Sequence, residues 1–200
     1  VYKRQRIEKA INWLKMNSNQ KIGIVGASTT GTLALTAASY FGDITLTIGL
    51  TPSDFIWQGF MQGKKDGCKE WPIDGESLFS YKGEPLPYMP FCYKHPDYWH
   101  VIEKETKRTG DMINSRKLFD DSEKAHPIQE DEMIKIEKIH GTVLLIGAED
   151  DVLWDTAKYI RRMKQRIKEH PHTCRLESVI YEHGTHFVFP ESMLKTMLPV

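Results

Sequence analysis

A serine hydroxyl attacks a carbonyl carbon efficiently only when a neighbouring base takes its proton and a carboxylate holds that base in place. Three short stretches of this sequence carry those residue types, in the order serine, acid, histidine. The first is Gly26-Ala27-Ser28-Thr29-Thr30-Gly31, which makes Ser28 the candidate nucleophile. The second, Gly147-Ala148-Glu149-Asp150-Asp151-Val152-Leu153-Trp154, holds a run of carboxylates; counting three residues on from Gly147 selects Asp150, with Asp151 beside it. The third, Glu182-His183-Gly184-Thr185-His186-Phe187, offers His186 as base, with His183 as competitor.

Each stretch has an ordinary use as well. A serine ahead of a helix is a good N-cap, and an acid after a strand often only complements the start of the next helix, as Asp155 is placed to do. Glycine usually stands two residues after the serine in a nucleophile elbow. Here that residue is Thr30, whose branched side chain must find room. The histidines show no HExxH or comparable ligand spacing, so a metal hydrolase is the weaker reading and no metal or cofactor is expected.

The elements that would position these residues follow from periodicity. Ile22 to Val25 reads as a short apolar strand, followed by the glycine turn and an apolar helix from about Ser28 to Tyr40. Further strands are predicted at 44–50, 142–146 and 175–181, with a helix over 155–169 and an amphipathic one over roughly 4–16. Branched strands alternating with helices predict a mainly parallel sheet covered by helices on both faces. The serine, acid and histidine stretches would then meet at its C-terminal edge, where α/β folds bind and react. Between 51 and 127 the alternation fails, and the aromatic, Gly- and Pro-rich segment is too long for a simple connection. It reads as a cap-like excursion with helices of its own.

Composition narrows the function. Lys plus Arg and Asp plus Glu balance at 27 each, so no overall field draws the protein to nucleic acid or to an anionic membrane. Cys68, Cys92 and Cys174 form no CxxC pair, which argues against a disulfide scaffold or structural zinc and for a reducing, cytoplasmic setting. No apolar run is long enough to span a bilayer, and no leader opens the chain, so a soluble protein without membrane insertion is expected. The 200 residues, 40% of them hydrophobic, suit one domain. The start at Val1-Tyr2, without an initiator methionine, reads as a piece of something longer.

The string IEKAINWLK, followed by KIGIVGASTTGTLAL up to Leu35, resembles the acyl-CoA thioesterase and bile acid-CoA:amino acid N-acyltransferase family in its C-terminal α/β-hydrolase domain. The resemblance continues in Ser53-Asp54-Phe55-Ile56-Trp57-Gln58-Gly59, in Tyr81-Lys82-Gly83-Glu84-Pro85-Leu86-Pro87, in the Asp150-Asp151…Trp154 segment and in Gly184-Thr185-His186. It implies an α/β-hydrolase fold for residues 1–200, with the early strands of that fold and a β-sandwich domain lying ahead of this chain. Aligning Trp154 with the family's Asp-Asp…Trp segment favours Asp151 over Asp150 as the acid. Members that hydrolyse thioesters carry serine at the elbow and the N-acyltransferase carries cysteine, so Ser28 implies hydrolysis. The family usually has Lys-Gly-Gly after the nucleophile, where this chain has Thr29-Thr30-Gly31.

The expected activity is therefore acyl-CoA thioester hydrolysis, a part of lipid metabolism. His186 takes the Ser28 proton, the backbone N–H of Thr29 helps hold the oxyanion, and coenzyme A leaves before water releases the acid. Phe55, Trp57 and Phe60 are candidate acyl-tunnel residues, although an aromatic run is also ordinary core. Other readings are a carboxylesterase or dienelactone-hydrolase-like enzyme, an acyltransferase, and a hydrolase fold used only for binding.

Overall fold

The computed structural model describes residues 2–3, 5–18, 20–61 and 71–188. Cys68 and Val1 lie outside them. In chain order the elements are β1 (Tyr2–Lys3), α1 (Gln5–Asn17), β2 (Ile22–Ala27), α2 (Thr29–Tyr40), β3 (Ile44–Leu50), β4 (Gln58–Met61) and β5 (Trp71–Ser77). There follow β6 (Phe79–Tyr81), β7 (Glu84–Pro85), α3 (Asp97–Thr109), α4 (Arg116–Ala125), β8 (Thr142–Ala148), α5 (Thr156–Glu169) and β9 (Arg175–Tyr181). Among the described residues no helix is long and apolar enough to cross a membrane.

The central sheet has four parallel strands in the order β2-β3-β8-β9. Its interior strand β8 buries Val143 and Leu145 completely, and the neighbouring rows place Ile24 and Thr47 beside Val143 and Leu176 on its other side. Helix α5 forms because Thr156, Ile160, Met163 and Ile167 recur along one stripe while charged residues fill the other. Asp155 caps it by accepting from the Lys158 N–H at 2.9 Å. Helix α2 is apolar on most sides and correspondingly buried, from Gly31 through Ala38 save for the half-buried Leu33. Leu35 of α2, Ile160 of α5 and Ile11 of α1 meet in one cluster with Val143 and Leu145.

Helices were expected on both faces, and among the described residues they cover only one. Val25, Leu46, Val179 and Tyr181 stay between 41% and 66% exposed on the other. Register explains their common side: Leu46 and Val25 each stand one residue from the paired, inward Thr47 and Ile24, and successive side chains of a pleated strand point to opposite faces.

The excursion is more than a lid laid over this core. Every residue from 51 to 59 is buried. Phe55 and Trp57 join Phe119, Trp154 and Tyr159 in a second, aromatic cluster, with ring centroids 5.2–6.3 Å apart in edge-on or tilted pairs. Truncating an aromatic packed in this way costs ~3–5 kcal/mol. Phe55 and Trp57 are thus core residues, and Phe60 stacks on Phe91. Alongside the expected helices α3 and α4 stand two small sheets, β4-β5 and β1-β6-β7. After α4 the chain returns along 54–56, where Ile134 N–H donates to Asp54 O and Ile56 N–H to Glu132 O.

Candidate active site

Ser28 occupies the turn between β2 and α2 with φ 57° and ψ −130°, a conformation that L-residues adopt only where the surroundings enforce it. Two glycines enforce it. A Cβ on Gly26 would fall inside the main chain of Thr30, and one on Gly31 would lie 3.0 Å from Leu50 O. Strand and helix therefore approach at residues 26 and 31, not at 30. Thr30 is exposed, and its hydroxyl donates to Ala27 O at 2.7 Å while accepting from Ala27 N–H at 3.0 Å. The expected crowding at Thr30 does not arise, and its side chain braces the turn instead. Ser28 makes no side-chain cap bond to α2. Its own N–H donates to Leu50 O at 2.8 Å, tying the turn to the end of β3. The Thr29 N–H stands in the first turn of α2, where position leaves it without an intrahelical acceptor.

Asp151 and His186 come together after β8 and β9. His186 Nδ1 lies 2.8 Å and 3.0 Å from the two Asp151 carboxylate oxygens, and the side chains are 1% and 0% exposed. Three more donors converge on that carboxylate: the Leu153 N–H at 2.9 Å, the Trp154 N–H at 3.5 Å and the Thr156 hydroxyl. A buried carboxylate so supplied holds its orientation, and it fixes the imidazole by one edge. The opposite nitrogen, Nε2 of His186, is buried and has no hydrogen-bond partner among the described residues. It and Ser28 Oγ are not bonded to each other here.

Asp150 and His183 form a separate pair, 3.1 Å apart at the surface. The acid loop is also anchored from the excursion. Ser115 and Arg116 N–H groups both donate to Val152 O, the Ser115 hydroxyl to Leu153 O at 2.8 Å, and Arg116 Nη1 to Asp151 O at 2.8 Å. Beside this loop a cavity of about 520 Å³ is lined by six carboxylates and three basic side chains, an unfavourable bed for a polyphosphate.

The family profile described as BAAT / acyl-CoA thioester hydrolase C terminal matches residues 6–193. The chain belongs to this family. That places the family's C-terminal portion over nearly all of the sequence, and an α/β-hydrolase fold with it. Among solved structures, an esterase of Pyrococcus furiosus is 14% identical with a TM-score of 0.50, the match covering 96% of this chain and 57% of that one. Acetyl xylan esterase 1 from a Thermoanaerobacterium species is 11% identical with a TM-score of 0.44, over 94% of this chain and 49% of that one. This chain thus spans little more than half the length of the first of these. A comparison with curated proteins gives no match.

Of the family-like stretches, Ser53-Asp54-Phe55-Ile56-Trp57-Gln58-Gly59 has a structural task. Asp54, 1% exposed, takes a bidentate pair from Arg162 at 2.6 and 2.5 Å. Burial pushes its carboxyl above the usual range, against the opposing pull of that guanidinium. Gln58 accepts from the Phe91 N–H at 2.9 Å. Sequence reasoning did not find Thr51, Thr156 or Arg116, whose partners are fixed by the fold rather than by nearby spacing. The free thiols Cys92, exposed, and Cys174, buried, take no part.

Proposed function

We propose that this protein hydrolyses acyl-CoA thioesters through Ser28, His186 and Asp151. The observation that carries the reading is the buried Asp151–His186 pair with Nε2 left unpartnered, at the same sheet edge as a serine held in a strained strand-to-helix turn. His186 takes the Ser28 proton as Oγ bonds to the thioester carbonyl carbon. Asp151 holds the Nδ1 tautomer and balances the imidazolium that forms. Negative charge developing on the carbonyl oxygen is met by the Thr29 N–H at the positive end of α2. Collapse breaks the C–S bond, the departing thiolate takes the proton from His186 to leave as coenzyme A thiol, and a water activated by the same base releases the carboxylic acid. The distance between Ser28 Oγ and His186 Nε2 closes on substrate binding, as apo catalytic hydrogen bonds commonly do. Serine at the elbow favours hydrolysis over amide formation, and family membership supports the thioester.

The test is a fluorophosphonate probe followed by a turnover panel. Ser28 should be labelled, and Ser28→Ala should lower kcat by ~10⁴- to 10⁶-fold, the range known for triad serines. Acyl-CoAs from acetyl to palmitoyl should turn over faster than nitrophenyl esters. Preference for the oxygen esters would end the thioester assignment, and a loss under tenfold in Ser28→Ala would end the nucleophile assignment.

A further inference from the structure

Thr51, the residue after β3, is bonded to the strand that leads to the acid, to the tryptophan beside the histidine and to the histidine's own main chain. Its N–H donates to Ile146 O of β8 at 2.6 Å, and its carbonyl accepts from the Trp154 indole N–H at 3.2 Å. Its hydroxyl donates to His186 O at 3.0 Å. The preceding residue, Leu50, takes the Ser28 N–H. Trp154 in turn meets the His186 ring edge-on, with centroids 4.5 Å apart and planes at 83°. One buried dipeptide thereby joins the serine turn, the strand that carries the acid, and the histidine loop.

The backbone at this point is costly. Thr51 is 1% exposed with φ 45°, in the left-handed region where a β-branched residue is an outlier. Glycine would adopt that φ freely but has no hydroxyl. A strained residue retained where an easier one exists points to a task for the side chain. Among the described residues its polar contact is the carbonyl of His186.

We propose that Thr51 is a positioning residue for His186: its hydroxyl, bound to the histidine's own carbonyl, fixes the loop after β9 so that Nε2 faces the serine. This rests on the Ser28–His186–Asp151 reading. Asp151 restrains the ring from one edge, the Trp154 indole meets it in a perpendicular ring contact, and Thr51 restrains the main chain from which the ring projects.

The experiment compares Thr51→Ser, Thr51→Gly and Ser28→Ala with the unaltered protein, each checked for folding by circular dichroism and assayed well below its melting temperature. Thr51→Gly relieves the strained φ and removes the hydroxyl. It should remain folded yet lose ~10- to 100-fold in kcat with KM within about twofold, the order expected when a catalytic group shifts by about an ångström. Its rate of labelling by fluorophosphonate should fall in parallel. Thr51→Ser keeps the hydroxyl and should stay within about threefold of the unaltered protein. A folded Thr51→Gly with kcat within threefold, or a Thr51→Ser that falls tenfold or more, overturns the proposal. The serine variant decides alone if the glycine variant does not fold. Failure of the underlying reading looks different, because there Ser28→Ala itself would retain activity.

Discussion

The same loop pair holds two aspartate–histidine contacts that differ in almost everything except residue type. Asp150 and His183 sit 3.1 Å apart with side chains 62% and 84% exposed. Asp151 and His186, at 2.8 Å, are 0% and 1% exposed. In water two unit charges 4 Å apart interact by about 1 kcal/mol, and the effective figure rises to about 4 kcal/mol near protein. The surface pair is further screened by salt and shares its carboxylate with solvent. The inner carboxylate instead receives four protein donors from His186, Leu153, Trp154 and Thr156. Burial thus gives the inner pair a fixed geometry and leaves one ring nitrogen without a partner among the described residues, while the outer pair is an ordinary surface contact.

The sharpest way to break this comparison is to remove each histidine. His186→Ala should reduce kcat by ~10⁴- to 10⁶-fold, because serine without its base loses the covalent route. His183→Ala should leave kcat within about threefold, as expected of a side chain outside the reacting centre. Steady-state assays with acyl-CoA on both variants read this directly. A dead His183→Ala beside an active His186→Ala would reverse the assignment of base.

A smaller contrast is expected between the acids. Asp151→Asn should slow turnover by ~10⁴-fold, since the amide presents the wrong hydrogen-bond partner to Nδ1 and selects the wrong tautomer. Asp150→Asn should remain within about threefold. The substitution at 151 should also lower the melting temperature, because the Thr156 hydroxyl and two backbone N–H groups lose a charged acceptor; hydrogen bonds to charged groups contribute ~1.5–3 kcal/mol each. Scanning calorimetry alongside the kinetic assay separates loss of rate from loss of fold. Similar rates for the two asparagine variants would remove Asp151 from the relay.

The sequence carries the alternation of strands and helices clearly enough to place β3 and β9 at their observed limits. Strands β2 and β8 run two residues further than expected because each ends in Gly-Ala, which reads as turn chemistry in isolation. Those glycines extend the ladder so that a helix can pack close. A Cβ on Gly147 would collide with the Thr156 and Ile160 side chains of α5, as one on Gly26 would with Thr30. The small sheets of the excursion were not legible, because strands of two to seven residues containing Gly and Pro depend on distant partners. Neither was the brace at Thr30, since the glycine pattern marks a close approach without saying which residue bears it. The acids illustrate the limit best. Asp150 and Asp151 are alike as residue types, and resemblance to a family, not spacing, favoured the second; the four donors around Asp151 come from the folded loop and from a histidine 35 residues away. Thr51 is more hidden still, with partners 103 and 135 residues distant.

The smallest expected effect is the one that most directly tests whether the outer pair does anything. Asp150 and His183 touch each other and sit on neighbouring loops, so replacing one alone also takes a contact from its partner, and their contribution is properly read from a double-mutant cycle. Exposed ion pairs of this kind gain little, because ordering two side chains offsets a Coulomb attraction that water weakens. The double variant Asp150→Asn/His183→Gln should therefore melt within about 2 °C of the unaltered protein, as expected for a change well below 1 kcal/mol in a chain of this size. Adding salt should shrink even that difference, since the pair lies within reach of counterions. The loop after β9 remains tied down by Thr51 and Asp151 at His186, so kcat should stay within about threefold. A loss of tenfold or more in the double variant, absent from both single variants, would show that the surface pair holds the histidine loop in place, and the sharp division between inner and outer pairs would have to be given up.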